Sequence, residues 1–151
     1  MIRFILALIR LIALALSYML STLAAAAFVT FALFLDAEAQ WLREDPAVAV
    51  GAVGFTLAVW FEVASAVFAP FLLLVLIAEL ARLTSLTFNT LAGGLLACVY
   101  MVLTPYGFDL PYTVQQIWLV ALAAGFVGGF THWALAGHRA GRWMGHAAHD
   151  A

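Results

Sequence analysis

The chain contains no lysine and few charges of either sign, which excludes most classes of soluble protein. Only 9% of its 151 residues are charged, whereas roughly a quarter of the residues in a typical soluble domain are. A globule of this size could not cover its surface in water with so few charges. Six arginines and eight acids give a formal net charge of −2, so the basic surface of a nucleic-acid-binding protein is missing as well.

Cysteine and catalytic motifs are also scarce. The single cysteine, Cys98, lies within an apolar run, so neither an intrachain disulfide nor a cysteine-based metal site can form. No P-loop, CxxC, GxGxxG or serine–histidine–aspartate pattern occurs, and the polar segments are too short to build an active site. We therefore expect a protein that is not an enzyme and that carries no cofactor.

Long apolar runs are what the sequence does contain. Hydrophobic residues make up 67% of the chain, and they form runs longer than the ~18 residues that mark a transmembrane helix. The runs predict an all-α, polytopic bundle of four transmembrane helices that forms a single domain over 1–151. The predicted spans are about 11–35, 55–78, 86–104 and 114–136, followed by a basic Gly/His/Arg tail over 137–151.

The first apolar segment could also be read as a secretory signal peptide. Arg3 and Arg10 precede it, and small residues fill Ala24 to Ala27. The apolar run then continues to Leu35, well beyond the 7 to 15 residues of a signal-peptide core. We expect an uncleaved transmembrane helix.

The orientation of the bundle follows from the distribution of arginine. Cytoplasmic flanks of membrane proteins are enriched in basic residues. One predicted side carries only Arg43, and the other carries five arginines: Arg3, Arg10, Arg82, Arg139 and Arg142. Both termini are therefore predicted to be cytoplasmic. The absence of lysine beside abundant alanine, leucine and arginine favours a GC-rich bacterial source and hence the bacterial inner membrane.

Two apolar segments are longer than a membrane span requires. Residues 47–78 would extend ~48 Å as one helix, against a hydrocarbon core of ~30 Å. Either Ala47–Ala58 lies along the outer interface, or the helix bends at Pro70. Met1–Arg10 shows a similar excess and is expected to lie along the inner headgroups.

Glu62 is the one acidic residue within an apolar span, so it is the candidate ion or proton site. A charge at the centre of the bilayer costs on the order of 3 kcal/mol, and such residues often bind ions or protons. The alternative depends on the register: if the span ends at Glu79, then Glu62 and Trp60 fall in the outer headgroup region, near the height of Trp118. The sequence favours this second, structural role.

Small residues on the third and fourth spans predict close helix packing, because glycine lets helix backbones approach in lipid. We expect this packing within the bundle, with dimerisation as the alternative. The candidate packing residues are Gly93, Gly94, Gly125, Gly128 and Gly129.

The C-terminal tail carries basic and aromatic residues that are suited to lipid headgroups or to a partner. Arg139, Arg142 and Trp143 are the candidates for this contact. Four histidines lie at or after the end of the last span, so they are expected to belong to a solvated tail and not to a metal or haem site. They are His132, His138, His146 and His149.

The sequence favours a non-catalytic accessory or scaffold protein of the bacterial inner membrane. The reasons are the absence of catalytic and cofactor-binding motifs and the surplus of apolar and glycine-rich surface. Such a protein would contact the lipid bilayer and either other membrane subunits or further copies of itself. The alternative is a small oligomeric transporter or channel that uses Glu62.

Overall fold

The computed structural model describes residues 2–35, 46–104 and 113–141. Within these ranges the chain forms four α-helices, a short 3-10 helix and no strand: α1 (Ile2–Leu35), α2 (Pro46–Leu80), α3 (Leu86–Leu103), α4 (Val114–Leu135) and the 3-10 helix Gly137–Arg139. All four α-helices are long enough and apolar enough to cross a membrane. The described part of the chain is all-helical, and its four long apolar helices are consistent with a multi-pass membrane protein.

The helices are arranged around the bundle in the order α2, α1, α4, α3. α4 packs against both α1 and α3, and α1 packs against α2. The contact between α2 and α3 is much the weakest of these four. The bundle is therefore least closed on its α2–α3 side.

The first two helices are longer than the predicted spans. α1 is one uninterrupted helix from Ile2, so the prediction of a separate interfacial segment over Met1–Arg10 is wrong. No glycine or proline occurs in α1 to end it. α2 is likewise continuous through Pro70, and its 35 residues rise about 52 Å. The segment Ala47–Ala58 is thus the first part of this helix.

The last two helices begin and end close to the predicted bounds. A capping box defines the start of α4: the Thr113 hydroxyl accepts a hydrogen bond from the backbone N–H of Gln116, and the Gln116 side chain accepts one from the Thr113 backbone. This reciprocal pairing satisfies two N–H groups that a helix start leaves unpaired. At the other end, the 3-10 turn after Ala136 closes α4.

Glycines bring α3 and α4 into backbone contact. A Cβ atom added to Gly93 would lie 2.7 Å from the Cα of Gly129 and would also overlap the carbonyl oxygen of Gly125. A Cβ on Gly125 would lie 2.7 Å from the Cβ of Ala97. These distances are too short for any side chain larger than hydrogen.

The other two glycines also lie at helix contacts. Gly94 packs under the ring of Phe126, and Gly128 faces Ser21 and Ala25 of α1. The five glycines singled out in the sequence thus lie between helices of one chain. Because no hydrophobic force drives helices together in lipid, this close approach supplies much of the van der Waals attraction in the bundle.

Gly93→Ala should lower the stability of the bundle by about 1 to 3 kcal/mol, because the new methyl group has no space and the backbones must separate. The measurement is reversible unfolding in mixed detergent micelles. Gly54→Ala is the matched control, since a Cβ at Gly54 has no atom within 4 Å, and it should leave stability unchanged or slightly raised. Equal effects of the two substitutions would contradict the packing role of Gly93.

Candidate functional site

Arg10 and Glu79 form a largely buried ion pair at one end of the bundle. The Nε and Nη2 atoms of Arg10 both donate to Oε1 of Glu79, with 2.9 Å for the Nε bond. Nη2 also donates to the carbonyl oxygen of Ala136 over 3.1 Å, and the other Glu79 oxygen accepts from the N–H of Gly141 over 2.9 Å. We call these four residues the Arg10 cluster. It joins α1, α2 and the chain after α4.

The sequence alone did not reveal this cluster. Glu79 falls just after the predicted span 55–78, but it lies in the last turn of α2 and is only 9% exposed. Gly141 is required beside it, because its φ of +70° is a left-handed conformation that favours glycine. The one available signal was the pair of opposite charges at the ends of two neighbouring antiparallel spans.

A second polar contact lies further into the bundle. Ser17 is 1% exposed and His132 is 9% exposed, and the Ser17 hydroxyl lies 2.7 Å from Nδ1 of the imidazole. The edge of the His132 ring packs against Phe71 of α2, with centroids 5.2 Å apart. The prediction that all four histidines belong to a solvated tail is wrong for His132, which is buried between three helices.

Contacts between α1 and α2 fix the register of these antiparallel helices. Thr56 donates a hydrogen bond to Thr30 over 2.8 Å, and the rings of Tyr18 and Phe68 pack with centroids 5.7 Å apart. The separation of Thr56 from Phe68 along α2 equals the separation of Tyr18 from Thr30 along α1. Glu62, midway between Thr56 and Phe68, therefore faces the middle of α1 near residue 24.

Contacts between α1 and α4 then give the level of Glu62 along α4. Residue 24 of α1 adjoins Ala25, and a Cβ on Gly128 would contact Ala25 at 3.5 Å. Glu62 is therefore level with Gly128. Roughly ten residues of α4, about 15 Å along its axis, separate Gly128 from Trp118. The expectation that Glu62 lies at the height of Trp118 does not hold, because α2 extends beyond the bundle at that end.

Glu62 lines a cavity of about 240 Å³ to which all four helices contribute. Among the described residues that line the cavity, only Glu62 has a formal charge, and most of the wall is apolar. Glu62 itself is exposed. Since α2 and α3 pack least, we place the mouth of the cavity between them, with Glu62 on its α2 edge and His132 deeper inside.

The hydroxyl groups along the cavity wall are already used. Ser21 donates to the carbonyl oxygen of Ser17 over 2.6 Å, Thr22 donates to that of Tyr18 over 2.9 Å, and Tyr18 donates to that of Ala64. Bonds of this kind satisfy hydroxyls within their own helix or its neighbour. They leave no ring of free oxygen atoms around Glu62.

Of the remaining predicted contact residues, Arg139 does not line this cavity. Arg139 is exposed and donates to the imidazole of His138 over 3.0 Å. Arg142 and Trp143 fall outside the described residues. Among the residues that the structure does describe, no group of three or more histidine, cysteine, aspartate or glutamate side chains could hold a metal ion.

Comparison with known proteins adds no family to this description: no family model, curated protein or solved structure matches the chain. The function is therefore argued from the geometry of the chain itself.

Arg10→Met should lower the free energy of unfolding by about 3 kcal/mol or more, because it leaves the Glu79 carboxylate buried without its cation. Glu79→Gln should cost a similar amount. The double variant should cost less than the sum of the two, as expected for directly coupled partners. Detergent unfolding of all four proteins gives this double-mutant cycle, and additive losses would show that the two residues act independently.

Proposed function

We propose that the protein is a small membrane transporter or channel in which Glu62 binds and releases a proton. The observation that carries the proposal is the position of Glu62, level with the middle of α3 and α4 and at the edge of a cavity shared by all four helices. Acidic residues at such depth are costly and commonly lie on ion or proton pathways.

The surroundings of Glu62 favour a proton over a metal cation. Hard cations such as sodium, calcium or magnesium need several oxygen ligands. The nearby Ser65 hydroxyl instead donates to the backbone carbonyl of Glu62 over 2.8 Å, and no described residue forms a hydrogen bond with the Glu62 carboxylate. A single carboxylate in an apolar wall can take up one proton and thereby lose its charge.

The proposed location is the bacterial inner membrane, with both termini in the cytoplasm. Three of the six arginines support this orientation by their place in the fold. Arg10 and Arg82 lie at the Glu79 end of the bundle, and Arg139 follows Ala136 at the same end. Basic residues gathered at one end are typical of the cytoplasmic face.

An accessory or scaffold function is the second candidate, and the exposed face of α2 favours it. Gly51 and Gly54 both lie on this face, and an added Cβ on either has no atom within 4 Å. Ala58 and Glu62 continue the same face. Small residues that are exposed in this way would allow close approach of a helix from another subunit or a second copy. The covering helix could then hydrogen-bond to Glu62.

Cysteine labelling tests the orientation. In a Cys98→Ser background, cysteines at Glu44 and Asp109 should react with a membrane-impermeant maleimide added outside intact cells. Cysteines at Thr84 and His146 should react only after permeabilisation, because both ends of the chain and the α2–α3 turn are cytoplasmic. Labelling of Asp109 and Thr84 from the same side would exclude the four-span arrangement.

Replacement of Glu62 separates the two functions. Vesicles containing the protein and an internal pH-sensitive dye should show proton flux down an imposed pH gradient, and Glu62→Gln should abolish it, because the amide cannot carry the proton. The fold should be kept or stabilised, since the charge that is costly in lipid is gone. Ser65→Ala, one turn along the same face, is the matched control and should conduct normally.

Wild-type vesicles without flux above that of empty vesicles would contradict the transport proposal. Loss of a co-purifying membrane subunit, or of self-association, in Glu62→Gln would then support the scaffold function. Flux that persists in Glu62→Gln would exclude Glu62 as the proton-binding group.

A further inference from the structure

His132 has one ring nitrogen that the fold of the chain does not use. Nδ1 lies 2.7 Å from the Ser17 hydroxyl, and no described residue forms a hydrogen bond with Nε2. Every fully enclosed side-chain nitrogen and oxygen of the described residues has a hydrogen-bond partner. Nε2 therefore reaches open space, and the open space that His132 lines is the cavity.

In its contact with Nδ1 of His132, we assign the Ser17 hydroxyl as the donor. The Ser17 hydroxyl has a single hydrogen, and its two candidate acceptors are Nδ1 at 2.7 Å and the His132 carbonyl oxygen at 3.5 Å. The shorter contact is the stronger hydrogen bond. With Nδ1 as the acceptor, the neutral imidazole carries its hydrogen on Nε2. His132 thus presents an N–H donor to the cavity.

Besides this donor, the described wall of the cavity holds the amide of Asn89, whose Nδ2 donates to the carbonyl oxygen of Ser85 over 2.8 Å. The hydroxyls of Ser21, Thr22 and Tyr18 all donate to backbone carbonyl oxygens. Around them the wall is formed by apolar side chains such as Phe71, Val67 and Ala124. A buried donor without an acceptor is costly, so this site favours an occupant that supplies an oxygen atom.

We propose that the cavity binds a neutral, lipophilic molecule with a carbonyl oxygen, and that His132 Nε2 donates a hydrogen bond to that oxygen. The apolar wall covers the body of the molecule. The absence of a basic residue from the wall disfavours anions, and the volume of about 240 Å³ limits the bound part to a small ring system. Such a molecule can enter from the bilayer between α2 and α3.

His132 and Glu62 then have separate roles in one cavity. His132 holds the ligand in the deep part of the cavity, and Glu62 exchanges a proton at the mouth. That the ligand is the transported substrate rests on the proposed function, whereas its binding at His132 does not.

A matched pair of probes tests the site. 1-Tetralone carries one ketone oxygen, and tetralin has the same bicyclic body without it. Binding is measured by titration of the purified, detergent-solubilised full chain labelled with ¹⁵N-histidine. 1-Tetralone should bind saturably and shift the Nε2 resonance of His132. His132→Phe should weaken its binding about three- to tenfold, the effect of one lost hydrogen bond. Tetralin binding should be the same in both proteins.

Two further variants keep the test decisive if His132→Phe fails to fold. Ser17→Ala leaves the imidazole in place but frees Nδ1, so the Nε2–H form should become less populated and 1-tetralone binding should weaken. His138→Phe changes a histidine outside the cavity and should have no effect. The carbonyl stretch of bound 1-tetralone should also lie at lower frequency in the wild type than in Ser17→Ala.

Three results would overturn the inference. His132→Phe could weaken the binding of 1-tetralone and tetralin equally, or 1-tetralone binding could be unchanged in both His132→Phe and Ser17→Ala. The third result is that neither probe binds saturably. The proposed function fails separately: binding that depends on His132 without proton flux contradicts transport alone. Flux that depends on Glu62 without binding contradicts this inference alone.

Discussion

In a lipid bilayer a polar side chain finds no water to bond with, so its hydrogen bonds must be formed within the protein. This constraint governs most of the polar residues in the bundle. Ser21, Thr22 and Thr30 donate to carbonyl oxygens one turn earlier in α1. Arg10 and Glu79 neutralise each other and take their remaining hydrogen bonds from the backbone of the C-terminal turn. The Glu62 carboxylate and Nε2 of His132 have no hydrogen bond to a described residue, and they mark the candidate site.

Glu62 and His132 differ in their surroundings. Glu62 is exposed at the edge of the cavity, where the proposed function needs a carboxylate that can exchange a proton. His132 is buried and held by Ser17, so its Nε2 atom has a fixed direction. A carboxylate that can gain and lose a proton at the entrance and a ring nitrogen held in one direction inside both suit the proposed cavity, which a ligand would fill and leave. A solid, fully packed core would offer neither.

The bundle is tightly packed between α3 and α4 and loosely packed around α2. α3 and α4 meet backbone to backbone at Gly93 and Gly125, whereas α2 is held mainly by α1. Trp60, which donates to Thr22 over 3.0 Å, is one of the few polar ties of α2 to the rest of the bundle near the cavity. Movement of α2 away from α3 would therefore cost less than separation of any other neighbouring pair. The Arg10 cluster keeps α2 attached at its far end.

The sequence by itself determined the four apolar helices and the close approach of α3 and α4. Hydropathy and the positions of glycine are local properties, and nothing in the tertiary structure overrides them. The lengths of α1 and α2 were underestimated, because α1 has no internal glycine or proline to mark a boundary and α2 continues as helix through Gly51, Gly54 and Pro70, so neither helix ends where a membrane span would. Only the tertiary structure decided the partners of Arg10, Glu79, Ser17 and His132, since each pairing joins residues more than 60 positions apart in the chain. It also decided the depth of Glu62, because depth depends on the register between neighbouring helices, which side-chain contacts set.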